Sequence, residues 1–247
     1  MQIGGAEVEV RSIAGAGDLT LAFLHEGLGS VGLWRDFPDR VAAALGLPAL
    51  VYSRRGYGGS SPVPLPRPTR FMHDEAAFLP AVLEASGVRR ALLVGHSDGA
   101  SIALLYAGLR PDDLAGVVAM APHVFVEDLS IASIEKARTA YETTDLRKRL
   151  ERHHGANVDV AFRGWNDVWL SPAFRAWNIE REVANIAVPL AVIQGRDDEY
   201  GTLAQVESIR AHVPGTKVTV IDKCGHSPHK DQPAATLAAI VELVNGL

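Results

Sequence analysis

The chain has 247 residues, 47% of them hydrophobic and 21% charged, proportions of a globular protein that exclude a disordered or fibrous chain. Its 24 lysines and arginines against 29 aspartates and glutamates leave a net charge of −5, so nothing draws the chain as a whole to nucleic acid or to an anionic membrane. A single cysteine, Cys224, excludes an internal disulfide framework and a cysteine-rich zinc site. No apolar run reaches the roughly 18 residues of a membrane helix. The opening MQIGGAEVEVRS lacks the basic start and apolar stretch of a secretory signal, and the expected location is cytoplasmic.

Along the chain, short apolar runs bounded by glycine or proline alternate with helical patterns. Val8–Ser12 and Leu19–Phe23 flank the turn Ala14–Asp18 and predict an antiparallel opening to a sheet. Leu19–Leu24, Ala49–Tyr52, Ala91–Val94, Val117–Met120, Leu190–Ile193 and Val218–Ile221 read as buried strands of a mostly parallel sheet. Helical patterns fall at Glu75–Ser86, Ala100–Leu109, Leu203–His212 and Ala234–Val244. Such alternation predicts an α/β fold, a mostly parallel central sheet with helices on both faces. Ser60–Pro68, with four prolines in nine residues, is a loop crossing the sheet. The segment from about His123 to Ala187 breaks the alternation. It is helix-rich and carries Phe162, Trp165, Trp169, Phe174 and Trp177. This divides the chain into a core, residues 1–122 and 187–247, and a helical cap subdomain, residues 123–186.

Gly95-His96-Ser97-Asp98-Gly99 matches G-x-S-x-G directly between the apolar run Ala91–Val94 and the apolar helix Ala100–Leu109. A turn that tight strains the serine and lifts its oxygen above the sheet edge, and it needs small residues two places to either side. The following helix points its positive end at the same spot. Here the chain resembles the α/β-hydrolase fold superfamily, as a serine carboxylesterase-like member with a cap.

That resemblance implies an order of nucleophile, acid and histidine along the chain. It selects Ser97 as nucleophile, Asp198 in Gly195-Arg196-Asp197-Asp198 as the acid, with Asp197 and Glu199 beside it as alternatives, and His226 in Cys224-Gly225-His226 as the base. A serine hydroxyl is a weak nucleophile until an imidazole takes its proton and a carboxylate orients the imidazole. The oxyanion hole it implies is made by the backbone N–H groups of Gly27 and Asp98. Glu26 stands where the family commonly has glycine, which leaves Leu28 as an alternative donor. Ser53-Arg54-Arg55-Gly56-Tyr57-Gly58-Gly59-Ser60 resembles a structural loop of the family, with Ser53 in place of its aspartate. His96 reads as structural. His25, His73, His123, His153, His154 and His212 read as packing, loop or surface residues.

Ser97 argues against the dehalogenase and epoxide-opening chemistries of the fold, which use an aspartate nucleophile. Metal-ligand spacing, a phosphate-binding loop and a dinucleotide fingerprint are all missing, so no cofactor and no metal are implied. The expected activity is hydrolysis of small, apolar carboxylic esters through an acyl-serine intermediate. Trp165 and Trp169 are the expected substrate-binding residues, nearer the pocket than Trp177. The implied partner is a small-molecule ester, with no nucleic acid and no membrane; a homodimer is compatible with the sequence. The alternatives are a carbon–carbon bond or lactone hydrolase of the same fold, or a non-catalytic ligand-binding member.

Overall fold

The computed structural model describes residues 1–247. A two-residue hairpin, β1 (Gln2–Ile3) and β2 (Ala6–Glu7), precedes the main sheet. That sheet has seven strands: β3 (Val10–Ile13), β4 (Leu19–Leu24), β5 (Ala49–Tyr52), β6 (Arg90–His96), β7 (Leu114–Met120), β8 (Leu190–Gly195) and β9 (Lys217–Ile221). Their spatial order is β3-β5-β4-β6-β7-β8-β9, and every pairing except β3 with β5 is parallel. The helices are α1 (Phe37–Leu45), α2 (Phe71–Ala85), α3 (Asp98–Gly108), α4 (Asp128–Thr143), α5 (Leu146–His154), α6 (Val158–Trp169), α7 (Glu180–Val183), α8 (Leu203–His212), α9 (Pro228–Asp231) and α10 (Pro233–Val244).

The expected strands form, and their alternation divides the core. Leu21 and Phe23 pack with Phe37 and Val41 of α1 and Ile240 of α10 on one face. Ala22 and Leu24 pack with residues of α2, α3 and α8 on the other. One pairing differs from the sequence reading. The opening strand β3 does not pair with β4; it lies antiparallel on β5, Val10 opposite Tyr52 and Ile13 opposite Ala49. Both edges of the apolar β4 are taken, by β5 and β6, so β3 can join only at the outside. The helix α1 was not expected. It closes on Gly46 in the left-handed conformation (φ 66°), where glycine has no steric penalty. α2 begins at Phe71, four residues before its predicted start, because Phe71 and Met72 extend the buried stripe of Ala76, Leu79, Val82 and Leu83.

From β4 the chain moves outward to β5, whereas β6 lies on the other side of β4 and leads away through β7, β8 and β9. The loop after β4 feeds α1 on one face, and the turn after β6 feeds α3 on the opposite face. Loops that diverge this way leave a crevice beyond the carboxyl ends of the strands, the usual ligand position in open α/β sheets.

Between β7 and β8 the chain is helical, α4 to α7, as the break in alternation predicted. Its two ends meet: Phe125 bridges Asn178, and the Ile179 N–H donates to the Val124 carbonyl at 2.8 Å. Further bonds tie it to the core. Asn157 Nδ2 donates to the carbonyls of Gly58 and Ser60 (3.1 and 2.6 Å), and the Ser130 and Ser133 hydroxyls donate to the carbonyls of Tyr200 and Glu199 (2.5 Å each). Ser60–Pro68 contains neither helix nor strand. No helix is long and apolar enough to cross a membrane.

Candidate active site

β6 runs straight into α3, and Ser97 occupies the single residue of turn with φ 53° and ψ −120°. A non-glycine residue at positive φ is strained and persists only where the surroundings impose it. The impositions are visible on both sides. A Cβ on Gly95 would lie 2.5 Å from the Gly99 carbonyl oxygen, and a Cβ on Gly99 would lie 2.1 Å from the Leu24 oxygen. The G-x-S-x-G spacing therefore records a close approach of β4, β6 and α3.

Three side chains from three strand ends converge there. The Ser97 hydroxyl lies 2.8 Å from His226 Nε2, and His226 Nδ1 lies 2.9 Å from both oxygens of Asp198. A carboxylate can only accept, so Nδ1 carries the proton and Nε2 is left to accept from Ser97. Asp198 also accepts from Gln194 Nε2 (2.7 Å) and from the backbone N–H groups of Tyr200 (2.8 Å) and Gly201 (3.1 Å). Burial pushes the Asp198 carboxyl up, but the hydrogen bond and charge of His226 and the Tyr200 N–H outweigh it and hold the group below its ordinary value. The neighbouring candidates point elsewhere. Asp197 is exposed, and Glu199 accepts from the His226 backbone N–H at 3.1 Å. His96 Nε2 donates to the His226 carbonyl at 2.7 Å, which steadies the loop that carries the imidazole.

The loop after β4 is shaped by its buried neighbours. The Glu26 carbonyl accepts from His25 Nδ1 (2.7 Å), from Arg54 (2.8 Å) and from the Gly29 N–H (3.0 Å), while His25 Nε2 accepts the Arg54 N–H at 3.0 Å. Burial and the Arg54 charge keep the His25 ring neutral, with its pKa well below the ordinary histidine value. The Glu26 side chain, which departs from the family pattern, turns to Lys230 Nζ (3.4 Å) and His96 Nδ1 (3.6 Å). Burial pushes its carboxyl up, but these partners hold it well below the ordinary carboxylate range. Gly27 lies against the indole of Trp165, so closely that a Cβ would come within 2.3 Å of it. The N–H groups of Gly27 and Leu28 have no partner within the protein. Asp98 opens α3, where its N–H has no carbonyl one turn back.

A cavity of about 260 Å³ connects these parts. Gly27, Leu28, Ser97, Asp98 and His226 line it from the core, and Ile134, Trp165 and Trp169 from the helical insertion. Trp165 and Trp169 face the cavity. Trp177 stands behind them, stacked on Phe174 at 5.3 Å and tilted against Trp169 at 6.1 Å. Trp169 Nε1 donates to Asp98 Oδ1 at 3.2 Å, joining the insertion to the residue after Ser97. Burial raises the pKa of Asp98, against the Arg54 charge and the Trp169 bond.

Four residues on this cavity escaped the sequence reading, His123, Ile134, Tyr200 and Ser227. The one local signal for His123 was its place just past the carboxyl end of β7, in Ala121-Pro122-His123. No cluster of histidine, cysteine and carboxylate side chains is arranged to hold a metal ion.

Comparison with known proteins agrees with this architecture. A model described as the alpha/beta hydrolase family matches residues 21–240. A protein of Pseudomonas savastanoi pv. phaseolicola, provisionally named as a carbamate hydrolase, is 23% identical over 92% of this chain and 95% of its own. The 2-succinyl-6-hydroxy-2,4-cyclohexadiene-1-carboxylate synthase of Klebsiella pneumoniae subsp. pneumoniae is 23% identical over 91% of this chain and 93% of its own. Among solved structures, the enol-lactonase from Burkholderia xenovorans LB400 is similar in fold, with a TM-score of 0.76 at 18% identity and 99% of each chain covered.

Proposed function

The chain belongs to the alpha/beta hydrolase family, and from that membership we propose that it is a serine hydrolase of small, neutral carboxylic esters. The observation that carries the proposal is the Ser97–His226–Asp198 chain of contacts, 2.8 Å and then 2.9 Å, an order in which the carboxylate, which can only accept, leaves Nε2 free to take the serine proton. Ser97 Oγ attacks the ester carbonyl while His226 Nε2 takes its proton. The tetrahedral oxyanion is stabilised by the N–H groups of Gly27 and Asp98 and by the positive end of α3. The imidazolium then protonates the leaving alkoxide, and acyl-Ser97 remains. Water, deprotonated by the same imidazole, cleaves the acyl group and restores Ser97. Asp198 stays ionised and holds the imidazole in one tautomer throughout.

The cavity supports the substrate class. Its size suits a short acyl group. Leu28, Ile134, Trp165 and Trp169 make apolar walls, with α4 and α6 of the insertion covering the site. Its charged lining residues are Glu26, Asp98 and Glu199, and no lysine or arginine lines it, so an anionic acyl group would meet like charge. Lactones are cyclic esters and fall within the same chemistry.

The test is a p-nitrophenyl acetate or butyrate reaction quenched in acid and analysed by mass spectrometry. An acyl adduct on the peptide carrying Ser97, together with a loss of at least about three decades in kcat in Ser97→Ala, is the expected result. Ester turnover by Ser97→Ala within tenfold of the unaltered protein removes Ser97 from the mechanism. Turnover confined to a carbon–carbon substrate, with no adduct, replaces the esterase reading with the carbon–carbon alternative.

A further inference from the structure

His123 is used by none of the steps above, yet it is built into the cavity. It is 3% exposed and lines the same space as Ser97 and His226. Its backbone is held from two helices. The His123 N–H donates to Ser101 Oγ of α3 at 3.1 Å, and the Ser101 hydroxyl donates to the His123 carbonyl at 2.6 Å. The next residue, Val124, donates its N–H to Gln205 Oε1 of α8 at 2.8 Å. The ring is wedged between Trp169, in a T-shaped contact (5.1 Å between centroids, 68°), and the ring of His226 (5.7 Å, 39°). Gly201 leaves it room: a Cβ there would stand 3.3 Å from His123 Cε1.

This well-positioned imidazole has no polar partner in the chain. Nδ1 is buried without a hydrogen bond. Buried polar side chains usually find a partner, and a fixed, unpartnered one on a cavity wall is placed to meet a ligand. Burial, with the neighbouring His226, pushes its pKa down to about 3, so the ring is a neutral donor and acceptor where His226 exchanges its proton. The two histidines therefore suit different tasks.

We propose that His123 is a specificity-determining residue that hydrogen-bonds a hydroxyl or oxo oxygen carried by the substrate next to the scissile carbonyl group. It deepens the ester-hydrolase reading and rests on it only for the nature of the bond cleaved. A site built to hydrogen-bond a substrate group rejects the analogue that lacks it far more strongly than an apolar wall rejects a methylene.

Binding to the Ser97→Ala protein tests the inference without requiring turnover. Ethyl 2-hydroxybutyrate against ethyl butyrate probes the acyl side, and 2-hydroxyethyl butyrate against propyl butyrate probes the alcohol side. In one arm the hydroxylated ester is expected to bind about tenfold tighter than its match. Adding His123→Phe, which keeps a ring against Trp169, brings that ratio to within about twofold of one, and His123→Gln restores a preference. Should the Phe variant not fold, the ¹⁵N resonances of His123 in the Ser97→Ala protein decide: they shift with the hydroxylated ester and not with its match. A ratio near one in both arms, or a preference that survives His123→Phe, overturns the inference. If the unaltered protein hydrolyses none of the esters while the binding preference holds, the esterase reading fails and the role of His123 stands.

Discussion

Replacing Asp198 by asparagine separates the chemistry of the site from its folding. Oδ1 accepts two backbone N–H groups, from Tyr200 and Gly201, while Oδ2 accepts Gln194 Nε2, and His226 Nδ1 reaches both. The asparagine oxygen is therefore expected to keep the Oδ1 position and its amide nitrogen to take that of Oδ2. Gln194 can turn to meet it, because its Oε1 is buried and unpartnered, at the loss of its 3.1 Å bond to the Gly201 carbonyl. The stability cost is that of losing charge-assisted bonds to a buried carboxylate, about 1–3 kcal/mol. The imidazole has no such remedy. Facing an N–H in place of a carboxylate oxygen, Nδ1 must become the acceptor, and the ring proton moves to Nε2 against the Ser97 hydroxyl. A serine without its base loses about four decades in kcat, or about 5 kcal/mol of barrier. The assay is steady-state hydrolysis of p-nitrophenyl butyrate, with urea unfolding of both proteins in parallel. Activity within tenfold of the unaltered protein, with the fold intact, would refute the tautomer argument.

Four further outcomes follow from the same geometry. In Gly27→Ala the new methyl would lie 2.3 Å from the Trp165 indole, so the loop must shift; kcat for the acetyl ester should fall by at least about a hundredfold. Unchanged kcat would show that the Gly27 N–H is not an oxyanion donor. Trp165→Ala and Trp169→Ala should reorder the preference among acyl chain lengths, whereas Trp177→Ala, stacked on Phe174, should cost about 3–5 kcal/mol of stability and leave the ranking unchanged. The opposite pattern would place Trp177, and not the other two, on the substrate. Methyl butyrate should be hydrolysed at least about tenfold more efficiently than monomethyl succinate of similar length, because the cavity lining offers carboxylates and no cation; parity in kcat/KM would refute that reading. Stability should fall as the pH drops below about 6.5, where the unfolded chain protonates histidines that the folded chain holds neutral. For His123, with a folded value of about 3, the loss between pH 8 and pH 5 is about 2 kcal/mol. His25 and His229, both also lowered by burial, add to it. A urea midpoint equal at the two pH values would contradict this, and His123→Phe should flatten the dependence.

The parts legible in the sequence were those written locally. Apolar runs closed by glycine specify buried strands, because a parallel strand covered on both faces needs no alternation. The G-x-S-x-G turn and the order of Ser97, Asp198 and His226 could be placed because each ends or follows a strand of the same sheet. The helical stretch between β7 and β8 showed as a change of period. What the tertiary structure decided depends on contacts between distant segments. β3 pairs with β5 and not β4 because β6 takes the second edge of β4. Gly99 must be glycine because Leu24, seventy-five residues earlier, presses its carbonyl there. Glu26 is held by Lys230, across 204 residues of chain. His123 sat among ordinary packing histidines until Trp169, Gly201 and His226 closed around it. A residue's own pattern reports whether it is buried, whereas its chemistry depends on which partners share that burial, and those partners are chosen only when the strands and the helical insertion come together.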